Sequence, residues 1–299
     1  MKSHNAIAAT ILLLTSGSAA AQSAPDGTEI RAVEVKPGIA VLYGFGGNIG
    51  VSYGPDGTIL IDDQVGDLTP KIQAAVASLG ASPARFVVNT HWHWDHAMGN
   101  ENFGKAGATI VAHNNVRPRL IKGGTVTGIV SEPAPHVALP VVTYDHGMTL
   151  HVNGDTLDIR FLGGGHTDGD SVVFWRDANV VHMGDLFMHN LGWPFIDIES
   201  GGNVEHHLAT LAQVISQTDG ATVVIPGHGE LATRSDLIAF RSMVETGVGR
   251  VRVLKDAGKT LQAAIAAKPL AGLSNAEGGF VTDDQFVEAV WKSLDAHGH

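Results

Sequence analysis

The chain of 299 residues contains no cysteine. This absence excludes disulfide bonds and thiolate metal ligands. Any metal ion that the protein binds must therefore be held by nitrogen and oxygen atoms, and the 16 histidines and 30 acidic residues are the side chains that supply them.

Positive charge is also scarce. Lys and Arg number 19 against 30 Asp and Glu, which gives a formal net charge of −11 at pH 7. Proteins that bind nucleic acid or anionic lipid hold the phosphate groups with Lys and Arg. The charge balance therefore argues against nucleic acid and against a membrane surface as partners.

Long apolar runs are missing as well, because no segment has the roughly eighteen consecutive apolar residues that a membrane-spanning helix needs. The N-terminus has one Lys near its start, an apolar run over residues 6–14 and three alanines at 19–21. This arrangement is typical of a secretory signal peptide with an A-x-A cleavage site, the alternative being an apolar N-terminus without a targeting role. We expect residues 1–21 to be a signal peptide, residues 22–299 to form one domain, and the mature protein to be periplasmic or secreted.

Alternating apolar and β-branched residues predict short strands along the whole chain. The runs that predict strands are EIRAVEV, GIAVLYG, NIGVSYG, TILIDDQ, FVV, TIVAH, TLDIRFL, SVVFW, NVVHMGD and TVVIPGH. Apolar residues at helical spacing predict helices over residues 69–79, 204–215, 236–254 and 283–294. Strands that first meander and then alternate with helices predict an α/β (α+β) protein in which two mixed sheets pack face to face with helices outside. Residues 123–140 are polar and patternless, so we expect a surface loop there, a candidate lid.

The segment THWHWDH, residues 90–96, is a dense group of metal-ligand side chains. Alternate residues of an extended segment point the same way, so His91 and His93 can face one point while Asp95 and His96 face another. A catalytic metal ion takes three or four protein ligands and keeps an open position for water. Two ions therefore need more donors than this segment supplies.

Three further donors each follow a predicted strand. They are His166 in FLGGGHTDGDS, Asp185 in VHMGDLF and His228 in VIPGHGE. Glycines flank all three and allow tight turns and close backbone approach. Strand ends that gather at one edge of a sheet form a shared pocket, so we expect these side chains to meet the THWHWDH segment there.

The series HWHWDH, GGGHTDGDS, HMGDLF and PGHGE resembles the metallo-β-lactamase superfamily, which has an H-x-H-x-D-H signature followed by His, Asp and His in that order. The resemblance runs over about residues 30–230 and implies a four-layer αββα sandwich with a dinuclear centre in a groove between the sheets. The ligand set that it implies places one metal on His91, His93 and His166, the other on Asp95, His96 and His228, and Asp185 between both.

The chemistry implied by this ligand set is hydrolysis of a small molecule. Two cations that share a solvent molecule lower its pKa toward neutrality, and they polarise the substrate carbonyl. Asp95 and Asp185 are the residues expected to act in catalysis, Asp95 by orienting the nucleophile or by returning a proton to the leaving group. Histidine-rich ligation favours two zinc ions per chain, while the carboxylate bridge leaves manganese or iron open.

Two positions bear on the substrate. One branch of the β-lactamases with this fold has a cysteine on the second metal and a basic residue three positions later, whereas this chain has Asp185 and Met188 there. An Asp bridge resembles the glyoxalase II, lactonase and general hydrolase branches, so we expect a zinc hydrolase of a cyclic amide, lactone, ester or thioester, with β-lactam hydrolysis still open. The alternative inside the superfamily is a mononuclear non-haem iron persulfide dioxygenase with a 2-His-1-carboxylate set. A non-catalytic metal-binding protein is the third interpretation.

Several other polar residues are weaker candidates. Asp62 and Asp63 end a predicted strand near the same edge, where they either orient a ligand histidine or cap a turn. Three histidines are candidates to approach the groove: His113, His182 and His189. His206 and His207 lie on a helical pattern and are expected at the surface.

Five aromatic residues are candidates for an apolar wall around the substrate. They are Trp92, Trp94, Phe187, Trp193 and Phe195. Core packing is the expected role for at least half of them, because large aromatic side chains are usually buried.

Overall fold

Two β-sheets form the frame of the molecule. The computed structural model describes residues 23–274 and 279–295, so the predicted signal peptide lies outside the described residues. The first sheet contains, in spatial order, β1 (Arg31–Lys36), β2 (Ile39–Tyr43), β3 (Ile49–Ser52), β4 (Thr58–Ile61), β5 (Ala84–Asn89), β6 (Thr109–His113) and β9 (Val142–Tyr144). The second contains β10 (Gly147–Val152), β11 (Asp155–Phe161), β12 (Ser171–Trp175), β13 (Val180–His182), β14 (Val223–Ile225) and β15 (Ala232–Thr233). Both sheets are mixed, because β4, β5, β6 and β9 pair in parallel, as do β13 and β14, while the other pairs are antiparallel.

Eight helices and one small hairpin complete the described part of the chain. The helices are α1 (Thr69–Ser78), α2 (Trp94–Ala97), α3 (Asn100–Lys105), α4 (Val116–Lys122), α5 (Val204–Ser216), α6 (Arg234–Asp256), α7 (Leu261–Ala266) and α8 (Asp283–Asp295). The hairpin pairs β7 (Gly124–Val126) with β8 (Ile129–Ser131). The longest helix, α6, begins with a capping box in which the Thr233 hydroxyl accepts from the Asp236 amide and the Asp236 carboxylate accepts from the Thr233 amide. None of the described helices is both long and apolar enough to cross a bilayer.

Alternating side chains divide the core into layers. In β4, Ile59 and Ile61 lie in the apolar cluster between the two sheets, whereas Leu60 lies in the cluster beneath α1 and α3. In β12, Val173 faces the space between the sheets, and Phe174 faces α5 and α6. Each such side chain contributes about 1.5–3 kcal/mol by its removal from water. The predicted four-layer αββα sandwich of two mixed sheets is therefore confirmed.

The structure agrees with the strand and helix predictions and corrects one loop. Each of the ten predicted strands is present, and the four predicted helices begin and end within two residues of the predicted bounds. The prediction of a patternless loop over residues 123–140 is wrong in part, because this segment contains the hairpin β7–β8 and a 3-10 turn at His136–Ala138. Thr127 and Gly128 both have positive φ, 53° and 84°, which is the backbone conformation of a two-residue hairpin turn.

Candidate metal centre

All seven predicted donors converge at one edge of the two sheets. The THWHWDH segment follows β5, and His166, Asp185 and His228 follow β11, β13 and β14. These strands end at the same edge, so short turns are sufficient to bring the side chains together. Three overlapping groups of donor atoms result, each with its atoms within 4.8 Å of one another: His91, His93 and His166; His91, His96 and Asp185; Asp95, His96 and His228.

Asp185 lies between the two outer groups. Its Oδ1 is 3.1 Å from His96 Nε2 and 3.4 Å from His228 Nε2, while its Oδ2 is 3.8 Å from His166 Nε2. One carboxylate oxygen thus faces each group. This is the geometry that a bridging carboxylate requires.

Two glycines permit this close approach. A Cβ on Gly227 would overlap Asp185 Oδ1, and a Cβ on Gly47 would overlap the imidazole of His96. Neither neighbour is a free side-chain end that can move aside, because both are buried. A side chain at either position would therefore displace a donor.

The first group, His91, His93 and His166, holds bare nitrogen lone pairs close together. His93 Nε2 donates to Asp197 Oδ2 (2.9 Å) and His166 Nδ1 donates to the Phe195 carbonyl (2.6 Å). The other nitrogens of these two rings, His93 Nδ1 and His166 Nε2, then face each other at 2.9 Å as lone pairs. Two lone pairs repel at this distance unless a proton or a cation lies between them.

His91 completes the first group in the same manner. The Thr90 hydroxyl donates to Asp62 and accepts from His91 Nδ1 (2.9 Å). This leaves His91 Nε2 buried and without a hydrogen-bond partner among the described residues. An unpartnered buried nitrogen costs about 1–3 kcal/mol. The donor set of the first group therefore fits a metal ion that prefers nitrogen ligands.

Burial disfavours protonation of two histidines of the first group. It lowers the pKa of His91 well below the ordinary value, and the neighbouring imidazole of His96 adds to the effect. Burial also lowers the pKa of His93 to about 4, with a further contribution from His166. Neutral imidazole is the form that binds a metal, so protons do not compete at His91 and His93 near pH 7.

The second group, Asp95, His96 and His228, is rich in negative charge. Burial opposes protonation of His228, but the carboxylates of Asp185 and Asp95 outweigh it and raise its pKa to about 10. The pKa of His96 is raised well above its ordinary value by the same carboxylates and Asp62, again against burial. Burial would raise the pKa of Asp185, yet the imidazoles of His228 and His96 hold it well below its usual range. Ionised carboxylates that hold protons on the facing imidazoles form a site for a divalent cation, which can take the place of those protons.

Asp62 orients the second group from behind. Its Oδ2 accepts from His96 Nδ1 (2.7 Å) and from the Thr90 hydroxyl (2.8 Å), and its Oδ1 accepts from the Thr90 amide (2.6 Å). The residue has a φ of 68°, which costs free energy for a side chain of this type and is maintained by these contacts. Asp63, in contrast, accepts from the Gly99 amide at the start of α3. Of the two roles considered for the pair, Asp62 thus orients a histidine of the donor set and Asp63 has a structural role.

Asp197 plays the corresponding part for the first group, and sequence reasoning missed it. Its amide donates to the His166 carbonyl (2.9 Å), and its carboxylate accepts from His93 and from the Ser200 amide. Burial would raise the pKa of Asp197, but the hydrogen bonds from His93 and Ser200 lower it to about 2. Asp197 lies in PFIDIES, which has no metal-ligand spacing, so its role depends on the tertiary fold.

The remaining candidate histidines lie outside the donor groups. His113 stacks on Phe161, while His182 and His189 lie 3.1 and 2.9 Å from the carbonyl oxygens of Asn48 and Glu230. His206 is exposed as expected. The expectation of a surface position for His207 is wrong, because its ring is buried and its Nε2 donates to the Leu186 carbonyl (2.9 Å).

A cavity of about 160 Å³ lies directly over the donors. Two of the five candidate aromatic residues, Trp94 and Phe195, line it, together with Met188, Leu191 and Phe280. The other three candidates are packed in the core: Trp92, Phe187 and Trp193. Phe280 was missed because the sequence around it has no periodic pattern that predicts an element at the groove.

Comparison with known proteins places the chain in a family. The family model of the metallo-beta-lactamase superfamily matches residues 42–270, and the chain belongs to this superfamily. Over 150 residues it is 29% identical to metallo-beta-lactamase IND-1 of Chryseobacterium indologenes, a match that covers 50% of this chain and 56% of that protein. Over 177 residues it is 26% identical to the metallo-beta-lactamase type 2 of Bacteroides fragilis, which covers 57% and 64% respectively. The matches thus span less than two thirds of these curated relatives.

Solved structures show the same fold. A metallo-beta-lactamase from Pontibacter korlensis superposes with a TM-score of 0.62 at 18% identity, covering 73% of this chain and 99% of that one. The stereoselective inverting sec-alkylsulfatase Pisa1 from Pseudomonas sp. superposes with a TM-score of 0.64 at 19% identity, covering 88% of this chain and 50% of that one. At this level of identity the likeness concerns the fold. The resemblance seen in the sequence is confirmed.

Proposed function

We propose that the protein is an exported, zinc-dependent hydrolase with two metal ions per chain, which cleaves a lactone, ester, thioester or cyclic amide. The observation that carries the proposal is the position of Asp185, with one carboxylate oxygen facing each of two donor groups. Because the groups share this residue, they suit a pair of cations. A single iron on a 2-His-1-carboxylate set would leave one group without a role.

The chemistry that two divalent cations supply when bound is Lewis acidity, which lowers the pKa of water and polarises a carbonyl. His91, His93 and His166 are the residues proposed to hold one ion, Asp95, His96 and His228 the other, and Asp185 both. Asp62 and Asp197 fix the ring orientation and the tautomer of the histidines, so that the bare nitrogens point at the centre.

Asp95 is the residue proposed to move a proton. Its side chain is 15% exposed, and its Oδ2 lies 3.2 Å from His228 Nε2 at the floor of the cavity. Burial would raise its pKa, but His96 and His228 lower it. An ionised carboxylate at this position can accept a proton from the nucleophile and return it to the leaving group.

The experiment is a substrate panel on protein of known metal content. Metal-depleted protein is reloaded with zinc, the zinc per chain is measured, and turnover of a β-lactam, a lactone, an ester and a thioester is followed with and without chelator. We expect close to two zinc ions per chain and turnover that chelator abolishes and zinc restores. One iron per chain with oxygen uptake on a persulfide would replace the hydrolase with the dioxygenase, and absent or chelator-insensitive turnover throughout would favour a binding protein.

The proposal of export has its own test. The short apolar run and the alanines at 19–21 support cleavage after residue 21. We expect the expressed full-length chain to be recovered in the periplasmic or culture fraction with the intact mass of a chain that begins at residue 22. A full-length mass in the cytoplasmic fraction would contradict it.

A further inference from the structure

The cavity over the donors lies beside a second and larger one. The second cavity has a volume of about 520 Å³ and shares four wall residues with the first: Val126, Thr127, Phe195 and Phe280. Residues that line both spaces place the two cavities side by side, and together the two cavities are called the cleft below. A molecule that reacts over the donors can therefore extend into the second space, which is named the far cavity below.

One wall of the far cavity comes from a part of the chain that the superfamily match does not cover. The match ends at residue 270, while α8 and the residues just before it supply Phe280, Val281, Gln285, Glu288, Ala289 and Lys292. The family model therefore does not describe this wall, which is called the α8 wall below. Its lining can therefore set a substrate preference that family membership does not determine.

The α8 wall is held firmly against the sandwich. The rings of Phe286 and Trp193 stack with their centroids 4.5 Å apart, and Trp193 Nε1 donates to Asp283 Oδ1 (2.7 Å). Val287 and Val290 are buried in the same core cluster. Because this face of α8 is fixed in the core, the opposite face is a preformed wall, and a ligand gains contact there without ordering the helix.

The lining of the cleft favours an uncharged group. None of the described residues around the cavity over the donors is a Lys or an Arg. In the far cavity, Lys292 is bound to Glu288 (2.8 Å) and lies near Glu199, so its charge is already compensated. The apolar surface is supplied by Phe195, Ile196, Ile198, Val281 and Ala289, among others. In the far cavity an anionic group would therefore meet an acidic excess, because Asp197, Glu199 and Glu288 line it beside a single Lys292, whereas an apolar chain would meet matching walls.

We propose that the far cavity is a substrate subsite for an extended, uncharged, largely apolar group, and that the enzyme prefers long-chain neutral esters or lactones over compact substrates that carry a carboxylate. The proposal rests on the proposed hydrolase function. A volume of about 520 Å³ lies in the range of sites that hold a drug-sized molecule. Contacts that a substrate makes in the far cavity, away from its reacting carbonyl, raise kcat/KM when they persist in the transition state.

The test is a chain-length series of 4-nitrophenyl esters, from acetate to dodecanoate, on the zinc-loaded protein. We expect kcat/KM to rise by about two- to fourfold per methylene until the far cavity is filled. Ala289→Trp places an indole in the far cavity, so dodecanoate should lose at least about tenfold more than acetate. The control Ala263→Trp, at an exposed position of α7, should leave the series as in the wild type. A flat wild-type series, or an equal loss on all esters in Ala289→Trp, would overturn the subsite.

A second variant and a charged substrate guard against a folding defect. Phe280 is 58% exposed, so Phe280→Ala carries little risk to folding and removes a wall of both cavities. Like Ala289→Trp, Phe280→Ala should reduce the rise of kcat/KM with ester chain length. A half-ester that ends in a carboxylate should be hydrolysed about tenfold less efficiently than its methyl ester of equal length, and equal or faster hydrolysis would overturn the preference for neutral groups.

Binding separates the subsite from the proposed function. N-alkylacetamides of increasing chain length are titrated against the zinc-loaded protein by calorimetry. If they bind more tightly with length and Ala289→Trp removes this dependence, the subsite stands even where no ester is hydrolysed, and the hydrolase proposal alone fails. If esters are hydrolysed without length dependence, the hydrolase proposal stands and the subsite fails. If the protein neither binds the amides nor hydrolyses the esters, both proposals fail.

Discussion

The two donor groups are built from similar residues and differ in charge. In the first group (His91, His93, His166), burial lowers the pKa of His91 and His93, and the rings of His93 and His166 are fixed by the Asp197 carboxylate and the Phe195 carbonyl oxygen. The second group (Asp95, His96, His228) contains a carboxylate, faces the cleft and has imidazoles whose pKa values are raised. The difference indicates that the first group is preformed for a neutral-nitrogen site, whereas the second balances its charge with protons until a cation replaces them. Asp185 lies between the two groups, with one carboxylate oxygen facing each of them.

The largest expected effect on turnover and zinc content comes from removal of the Asp185 carboxylate. Asp185→Ala takes negative charge from between the two proposed cations and removes the carboxylate that faces both His96 and His228. Turnover should fall by about a thousandfold or more, and zinc should fall to one ion per chain or fewer. Metal analysis and kinetics on the same sample check this, and full zinc content at the wild-type rate would show that Asp185 does not bridge the groups.

A single methyl group should disturb the second group nearly as much. A Cβ on Gly47 would overlap the ring of His96, which is wholly buried and bonded to Asp62. Gly47→Ala should therefore weaken the second zinc ion by about a hundredfold while the first ion keeps its affinity. Competition with a chromophoric chelator measures the two affinities, with Gly249→Ala at an exposed position of α6 as a control, because nothing lies within 4 Å of its added Cβ. Equal weakening of both ions would contradict the separation of the groups.

Asp197→Asn should affect the first group selectively. An amide cannot hold the His93 tautomer as a carboxylate does, so the first zinc ion should bind about tenfold to a hundredfold more weakly. The matched variant Asp62→Asn should instead weaken the ion at the second group. The same chelator competition distinguishes the two variants. If both variants weakened the same ion to the same extent, the assignment of Asp197 to the first group and Asp62 to the second would be wrong.

The smallest effect concerns the stability of the metal-free protein as pH changes. The folded-state pKa of His228 is raised to about 10, above its unfolded value of 6.5. Its stabilising contribution is therefore fully present below about pH 6.5 and is lost as the pH rises toward 10. Metal-free protein should lose several degrees of Tm between pH 7 and 10, and His228→Asn should reduce that loss. An equal slope in the variant would show that the His228 proton does not stabilise the fold.

Much of this architecture was predictable, because its signals are local. Because side chains alternate in direction along a strand, Ile59 and Ile61 lie on one face of β4 and Leu60 on the other. An apolar run that fills both faces indicates a sheet covered on both sides. The donors were predictable for a related reason. Four of them are neighbours in sequence, and the other three each follow an apolar strand with glycine beside it.

The residues that were missed act through contacts that sequence does not display. Asp197 is 104 positions from His93, and its carboxylate is held at that ring by the Ser200 amide and by the bond from the Asp197 amide to the His166 carbonyl. Phe280 reaches the cleft because α8 packs on Trp193, a long-range contact without periodicity. The hairpin β7–β8 was missed because its strands have three residues each, too few for alternation to stand out.

The most direct measurement is a crystal structure of the zinc-loaded protein with anomalous diffraction at the zinc edge. Two peaks are expected, one within ligand distance of His91, His93 and His166, and the other within ligand distance of Asp95, His96 and His228, with Asp185 touching both. One peak alone, or zinc away from these side chains, would contradict the paired-ion centre from which the proposed chemistry follows.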